Sequence, residues 1–347
     1  MNISYSRPLD LGWKRMKRTL FQPFDLGRWM VLGFTAWLAQ LADGSAGSSG
    51  AQDAFQVDKD VDPDNFSEAF GSGWGWLTDF VSTGVGVVLV TLAVVAVLVI
   101  TVLLIWLSSR GRFMFLDNLV HNRTEVTQPW REFQRHGDSL FLWTLGYSIL
   151  AMMIVGALVV GLVIVLVPAV ALDLSGGVSL LLAMGLGTVF FAVIVILSYI
   201  EYFLHHFVVP IMYKHGVSTS DAWRIFLPVF QAHPGSFIVF GLFYLVVSIG
   251  MGLALLIAGL MTCCLGFILM VLPYLGAVVT LPMTVLARFM NLEFLAQFGD
   301  DYTLLPPLTP VDPPHPYSGY DNVDGTVIGP EDISEDTGGD EPGPQGP

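Results

Sequence analysis

Long runs of apolar residues alternate along the chain with short polar segments. The alternation predicts six transmembrane helices, at residues 27–42, 81–107, 139–169, 178–205, 236–260 and 264–290. Five of these runs reach the roughly 20 residues that a helix needs to cross a hydrocarbon core about 30 Å thick. The run 27–42 is shorter, and it would need Trp29 as an interfacial anchor and Arg28 reaching back to the headgroups. The expected fold class is an all-α integral membrane protein.

The first 26 residues show a different pattern, with large apolar residues at helical spacing on one face and cations beside it. The apolar residues are Leu9, Trp13, Met16, Leu20 and Phe24, and the cations are Lys14, Arg15, Lys17 and Arg18. A helix of this kind lies in the membrane interface, where its cations attract anionic lipid. We therefore predict that residues 1–26 form a cytoplasmic amphipathic helix whose four cations bind anionic headgroups.

The distribution of charge predicts the topology. Of the 15 Lys and Arg residues, 14 lie in the N-terminus, the 108–138 loop, the 214–235 loop and the end of the sixth span, and Lys59 lies opposite. Because positively charged loops stay in the cytoplasm, both termini are expected there, and the membrane is expected to be the bacterial cytoplasmic (inner) membrane. Two cytoplasmic termini require an even number of crossings, so six crossings fit the charge distribution and five do not. The 43–80 outer loop is acidic. The remaining segment, 294–347, is expected to be a disordered acidic tail rich in Pro and Gly.

A thin internal repeat adds a second level of organisation. Each of three segments has Trp followed by a cation, then an apolar residue at the third position after Trp, and later a glycine early in a span. The matching residues are Trp13, Lys14, Met16 and Gly33; Trp130, Arg131, Phe133 and Gly146; and Trp223, Arg224, Phe226 and Gly241. This pattern indicates three parallel units of interfacial helix plus hairpin. Coincidence is equally compatible, since Trp and Lys/Arg both concentrate at the cytoplasmic interface.

The run 178–213 carries one carboxylate, Glu201, followed by His205 and His206. Helical spacing puts Ser198, Glu201 and His205 in one stripe. An ionisable residue in a spanning helix indicates either a proton or ion path or a paired charge. The paired alternative is a structural ion pair between Glu201 and Arg288 of the sixth span.

Three small residues, Gly250, Ala254 and Ala258, recur at intervals of four along the fifth span. Such a face lets another helix approach closely, either inside the bundle or in another subunit. The sequence leaves the oligomeric state open.

No cofactor, metal site or enzyme motif is expected. Imidazole and carboxylate groups suit zinc, but the spacing of Glu201, His205, His206, His215 and His233 matches no ligand motif. The alternating aspartates of the outer loop fail as a calcium loop, because an EF-hand starting at Asp58 would need Gly at 63 and Glu at 69, where Pro63 and Ala69 stand. The basic residues follow one side of the membrane, so no nucleic-acid surface is expected.

Three stretches carry a resemblance. They are Ile3-Ser4-Tyr5-Ser6 with Leu20-Phe21-Gln22-Pro23-Phe24, then Ser109 to Asn118, and Phe294 to Gly299. Over residues 1–302 the chain resembles a group of uncharacterised bacterial multi-pass membrane proteins, for which no activity is implied. The pattern of cytoplasmic helices and hairpins is also similar to the membrane domain of some glycerophosphodiester phosphodiesterases. That similarity implies a membrane module without hydrolase chemistry.

The function expected from the sequence is a non-enzymatic membrane module that binds lipid or acts as a scaffold. Its partners would be anionic lipid headgroups, with recruitment of a protein through the acidic tail as a further hypothesis. The alternative is a proton- or ion-coupled permease whose path includes Glu201 and His205.

Overall fold

A computed structural model of the chain describes residues 3–42, 79–171, 176–262 and 272–308, and the single positions 75 and 269. Within these ranges the protein is helical and has no named strand. The chain divides into a unit of residues Met1–Pro306 and a second unit of residues Pro307–Pro347. Most of the predicted outer loop, Cys263 and Cys264, and the tail after Leu308 lie outside the described residues.

The described part of the first unit contains ten α-helices of six or more residues and three short helical turns. The α-helices are α1 (Ser6–Phe21), α2 (Leu26–Gln40), α3 (Gly84–Val120), α4 (Thr127–Glu132), α5 (Gln134–Ala171), α6 (Gly176–Phe203), α7 (Val209–His215), α8 (Thr219–Ala232), α9 (Pro234–Met261) and α10 (Pro273–Leu295). A π-helical turn, Leu204–Val208, joins α6 to α7. Two 3₁₀ turns, Ala296–Phe298 and Asp300–Tyr302, follow α10.

Five segments among the described residues are long and apolar enough to cross a membrane. They are Gly84–Val120, Gln134–Val165, Leu181–His215, Pro234–Met261 and Tyr274–Phe298. This is consistent with a multi-pass membrane protein. The sixth predicted span is not confirmed, because α2 has 15 residues and is only about 22 Å long.

The buried core lies where α3, α6 and α10 approach their C-terminal ends and where α5 and α9 begin. Phe113, Phe207 and Phe240 are fully buried there. The other halves of the long helices expose large apolar side chains, as at Val97 of α3, Met152 of α5 and Val246 of α9. Soluble proteins rarely expose so much continuous apolar surface, because its contact with water is unfavourable. In a membrane, lipid covers this surface without that free-energy cost.

Helix α1 packs on the core, in contrast to the predicted insertion of its apolar face into the interface. Met16 and Leu20 are 3% and 1% exposed. The backbone N–H of Ser4 donates to the side-chain oxygen of Gln297 at 2.9 Å, and the Gln297 amide nitrogen donates to the Ser4 carbonyl at 3.0 Å, which ties the N-terminus to the turn after α10. Only Trp13 and Phe24 of the predicted apolar face remain exposed. The main surface on which α1 packs is therefore protein.

Helix α2 lies antiparallel to the C-terminal part of α3. Arg28 of α2 bonds Asn122, just after α3 ends, and the Ser108 hydroxyl donates to the Ala39 carbonyl at 2.7 Å. The close approach depends on Gly111, where an added Cβ would stand 2.7 Å from backbone atoms of Leu38 and Ala39. Helix α3 continues through residues 108–120, which the sequence predicts as part of a loop, because α2 and its neighbours bury them.

The folded region extends past the predicted start of the tail at residue 294. Phe294 and Leu295 are fully buried, and Leu305 is 8% exposed. Phe298 stacks on Phe237 with ring centroids 4.8 Å apart. These aromatic contacts hold the chain in the core well beyond the last apolar run.

The three predicted repeat units are not confirmed. Their Trp–cation pairs lie on helices of 16, 6 and 14 residues, namely α1, α4 and α8. The glycines also differ, since a Cβ added at Gly33 would stand 2.6 Å from Val278 and one at Gly241 2.9 Å from Tyr199, whereas one at Gly146 would have no atom within 4 Å.

Candidate ligand-binding site

The stripe predicted from helical spacing is divided in the structure. Ser198 and Glu201 are exposed on α6, whereas His205 is 8% exposed in the π-helical turn. A π-helical turn adds a residue per turn relative to an α-helix, so it changes the direction of the side chains that follow. Spacing based on 3.6 residues per turn therefore does not hold beyond Phe203.

Pro210 accounts for this turn and for one unusual contact. The N–H of Val209 donates to the Leu204 carbonyl, five residues back, as in a π-helix. In the same register the His205 carbonyl would need the N–H of residue 210, which proline lacks. That carbonyl instead accepts a 2.7 Å hydrogen bond from Nη1 of Arg288. A backbone feature thus positions the guanidinium of α10 next to the turn.

Arg288 and His205 line a cavity of about 310 Å³, which we call the cationic cavity. Its described lining comes from α2, α3, the π-helical turn, α9 and α10: Ala39, Gln40, Arg112, Phe115, His205, His206, Tyr244, Met251, Met283, Thr284, Ala287 and Arg288. Arg112 is 3% exposed and its Nε donates to the Ala39 carbonyl at 3.2 Å. Glu201 and Ser198 are not among these lining residues.

The two histidines of the turn differ in their hydrogen bonding. The Asn291 amide donates to Nδ1 of His206 at 2.9 Å and to the Ala287 carbonyl, and its oxygen accepts from the Tyr202 hydroxyl. Nε2 of His205 is buried without a hydrogen-bond partner in the described structure. A buried polar atom is normally hydrogen-bonded, so this atom lacks the partner that a ligand in the cavity could supply.

A larger apolar groove of about 730 Å³ lies between α1, α9 and α10, and we call it the apolar groove. Its described lining is Trp13, Met16, Lys17, Phe21, Gln22, Val247, Gly250, Met251, Ala254, Pro282, Met283 and Leu286. Met251 and Met283 also line the cationic cavity, so the two are neighbours. Gly250 and Ala254, which the sequence predicts as part of a helix-packing face, line the groove, while Ala258 is exposed outside its described lining.

The four cations of α1 have different surroundings. Arg15 is 12% exposed and pairs with Glu293 of α10, so its charge stabilises helix packing. Lys14 is exposed and pairs with Asp10 one turn earlier. Lys17 stands 5.4 Å from the Trp13 ring centroid, at the apolar groove. Arg18 is partly buried and has contacts of its own. Lys14 and Lys17 are the better placed for a headgroup.

A second polar cluster, which sequence reasoning missed, surrounds Asp117 near the end of α3. This carboxylate is 1% exposed and accepts hydrogen bonds from Arg123 at 2.7 and 3.0 Å and from the Tyr213 hydroxyl at 2.8 Å. The hydrogen bond to Asp117 raises the pKa of Arg123 above its ordinary value. The sequence signal was a charged residue within the apolar segment 113–120. The cluster fastens the 121–126 loop to α3 and α7.

Among the described residues, no three His, Cys, Asp or Glu side chains are close enough to hold a metal ion. His215 contacts the Asp301 carbonyl and His233 packs on Phe298. These two histidines therefore have protein neighbours of their own, apart from the pair in the π-helical turn.

Comparison with known proteins gives one match. The model of a family of unknown function (DUF7544) matches residues 7–302. No curated protein and no solved structure matches the chain. The looser similarity to the phosphodiesterase membrane domain stays a prediction.

Proposed function

The chain belongs to a family of unknown function, DUF7544, and on that premise we propose that it is a non-enzymatic membrane module that binds lipid. The observation that carries the proposal is the apolar groove. In this proposal, bulk lipid covers the exposed halves of the long helices. The apolar groove is a specific site that binds the acyl chain of one lipid.

The lining of the apolar groove suits an acyl chain. Gly250 has no atom within 4 Å of the position that a Cβ would occupy, so the acyl chain can lie against the α9 backbone. Met251 and Met283 are flexible and fit irregular apolar shapes. Lys17 and Trp13 stand at one side, and this combination of cation and aromatic ring is typical of the headgroup level of a membrane.

Packing contacts and the headgroup would provide the binding energy. Moving an acyl chain from the bilayer into a groove removes no apolar surface from water, so the hydrophobic effect contributes little. Substitutions that change the shape of the groove should therefore affect binding directly.

Filling the groove is expected to displace the lipid. Gly250→Leu places a side chain in the groove, whereas Gly252→Leu is a matched control because Gly252 also has open space around it and is absent from the described lining. In nanodiscs containing a phospholipid with a photoactivatable acyl chain, Gly250→Leu should lower cross-linking at the groove residues Met251 and Met283, mapped by mass spectrometry of peptides, several-fold. Cross-linking that is equal in the two variants would contradict lipid binding in the groove.

The proposed topology has both termini in the cytoplasm and α2 as a sixth crossing. It is supported by the one-sided distribution of Lys and Arg. Because α2 is about 22 Å long against a hydrocarbon core of about 30 Å, the bilayer would thin beside it.

Labelling of single cysteines tests this topology. In a chain with Cys263→Ala and Cys264→Ala, Ser48→Cys should react with a membrane-impermeant maleimide from outside intact cells. Ser318→Cys in the tail should react only after the cells are opened. Labelling of both from the same side would exclude the six-crossing topology.

The permease alternative has less support in the geometry. Its path required Glu201 next to His205, and Glu201 is exposed on α6 and is not among the described residues of the cationic cavity.

A further inference from the structure

We propose that the cationic cavity binds an oxyanion, a phosphate or carboxylate group, through Arg112, Arg288 and His205. The inference rests on the proposed function only for the source of the anion, which is either a lipid headgroup or a free oxyanion. The recognition chemistry is the same for both sources.

Two guanidinium groups line the cationic cavity. Arg112 and Arg288 are 3% and 8% exposed, and both line the same space. Guanidinium groups keep their charge in every protein environment, and their planar fork of donors matches the oxygens of phosphate and carboxylate. Both arginines lie in segments that are long and apolar enough to cross a membrane, and ionisable residues in such segments commonly mark ligand or ion sites.

The second observation is independent of charge. Nε2 of His205 is buried and has no hydrogen-bond partner in the described part of the chain. The backbone of His205 is held next to α10, because its carbonyl accepts a 2.7 Å hydrogen bond from Nη1 of Arg288. An oxyanion between the guanidinium and the imidazole would accept a hydrogen bond from each of them.

The surroundings supply further polar groups and set the size of the ligand. Gln40 and Thr284 line the cavity and bond each other at 3.2 Å. A space of about 310 Å³ accommodates a small oxyanion with water, and it is small for a whole phospholipid. Met251 and Met283 line both this cavity and the apolar groove, so one amphiphile could place its anionic group in the cavity and its acyl chain in the groove.

The test introduces a negative charge without removing either arginine. Gln40→Glu is nearly isosteric and puts a carboxylate into the cavity, whereas Gln134→Glu adds the same charge at an exposed position of α5. At a few ångströms, Coulomb repulsion should weaken anion binding at least about tenfold in Gln40→Glu and leave it unchanged in Gln134→Glu. His205→Phe is a third variant, which keeps an aromatic ring but removes the ring nitrogens, and it is expected to weaken binding.

Two measurements on the full-length purified chain separate the sources. The first is retention of phosphatidylglycerol over phosphatidylcholine in mixed nanodiscs, measured by mass spectrometry of bound lipid. The second is the rise in unfolding temperature caused by inorganic phosphate in delipidated detergent micelles. Preferential retention of phosphatidylglycerol that Gln40→Glu abolishes supports a lipid headgroup as ligand. Protection by phosphate alone, lost in Gln40→Glu, supports a free oxyanion.

The proposal is overturned if the wild-type chain shows neither effect, or if Gln40→Glu and Gln134→Glu behave alike. Its failure is distinguishable from failure of the proposed function through Gly250→Leu, which blocks the groove and leaves the cationic cavity intact. Lipid cross-linking that depends on Gly250, without any anion effect, would leave the lipid module standing and remove the oxyanion site.

Discussion

Replacement of Asp117 by alanine is expected to lower the free energy of unfolding by about 3 kcal/mol, because it leaves several donors without their common acceptor. Arg123 and Tyr213 both bond this carboxylate, and Nδ1 of His121 lies 3.0 Å from it. The Arg123 side chain is 28% exposed, so it can turn partly to water, which keeps the loss below that of a fully buried pair. Unfolding in detergent micelles, followed by tryptophan fluorescence, measures the change.

Asp138 provides the control for this prediction. It also pairs with an arginine, Arg110, at 2.8 Å, but its side chain is 49% exposed. Exposed ion pairs contribute about 0–1 kcal/mol, so Asp138→Ala should change stability far less than Asp117→Ala. Equal losses in the two variants would mean that the Asp117 cluster has no special structural role.

Phe294→Ala is expected to cost about 3–5 kcal/mol, the usual range for removing a buried aromatic side chain. The ring is fully buried and stacks on Phe240 with centroids 3.7 Å apart. It also contacts Phe207, Phe237 and Phe298. The loss should appear in the same micelle unfolding experiment, and trypsin should cleave the variant faster after Arg288.

Phe191 of α6 serves as the comparison, since it is 69% exposed and lies in an apolar span. Detergent or lipid can fill the space left by Phe191→Ala, so only a small change is expected. If Phe294→Ala were equally mild, the segment after residue 293 would behave as the tail that the sequence predicts.

The apolar runs alone were sufficient to predict most of the helices. Spanning segments must satisfy every backbone group internally, so a long apolar run has little choice but helix. The ends of the helices depend on tertiary packing instead. Arg112 and Asp117 look like loop residues in the sequence, yet α3 continues through them because α2 and α7 bury that segment. In the same way, Phe294 follows the last apolar run but is held by aromatic partners from α9.

The candidate site could be predicted only in part. His205 and Arg288 stand out because each is ionisable within an apolar segment. Their arrangement was missed because α-helical spacing directed attention from His205 to Glu201. Pro210 was the available signal, since proline removes the donor that a regular helix needs. Arg112 and Gln40 come from distant parts of the chain, and no local pattern connects them to the turn.

The attachment of α1 to α10 has a consequence for the order of biosynthesis. Ser4 bonds Gln297, and Arg15 pairs with Glu293, which is synthesised 278 residues after it. During translation the apolar face at Met16 and Leu20 has no final partner, and the membrane surface is the available place to cover it. Interfacial binding of α1 is therefore expected as an early stage of assembly, which ends when α10 is inserted.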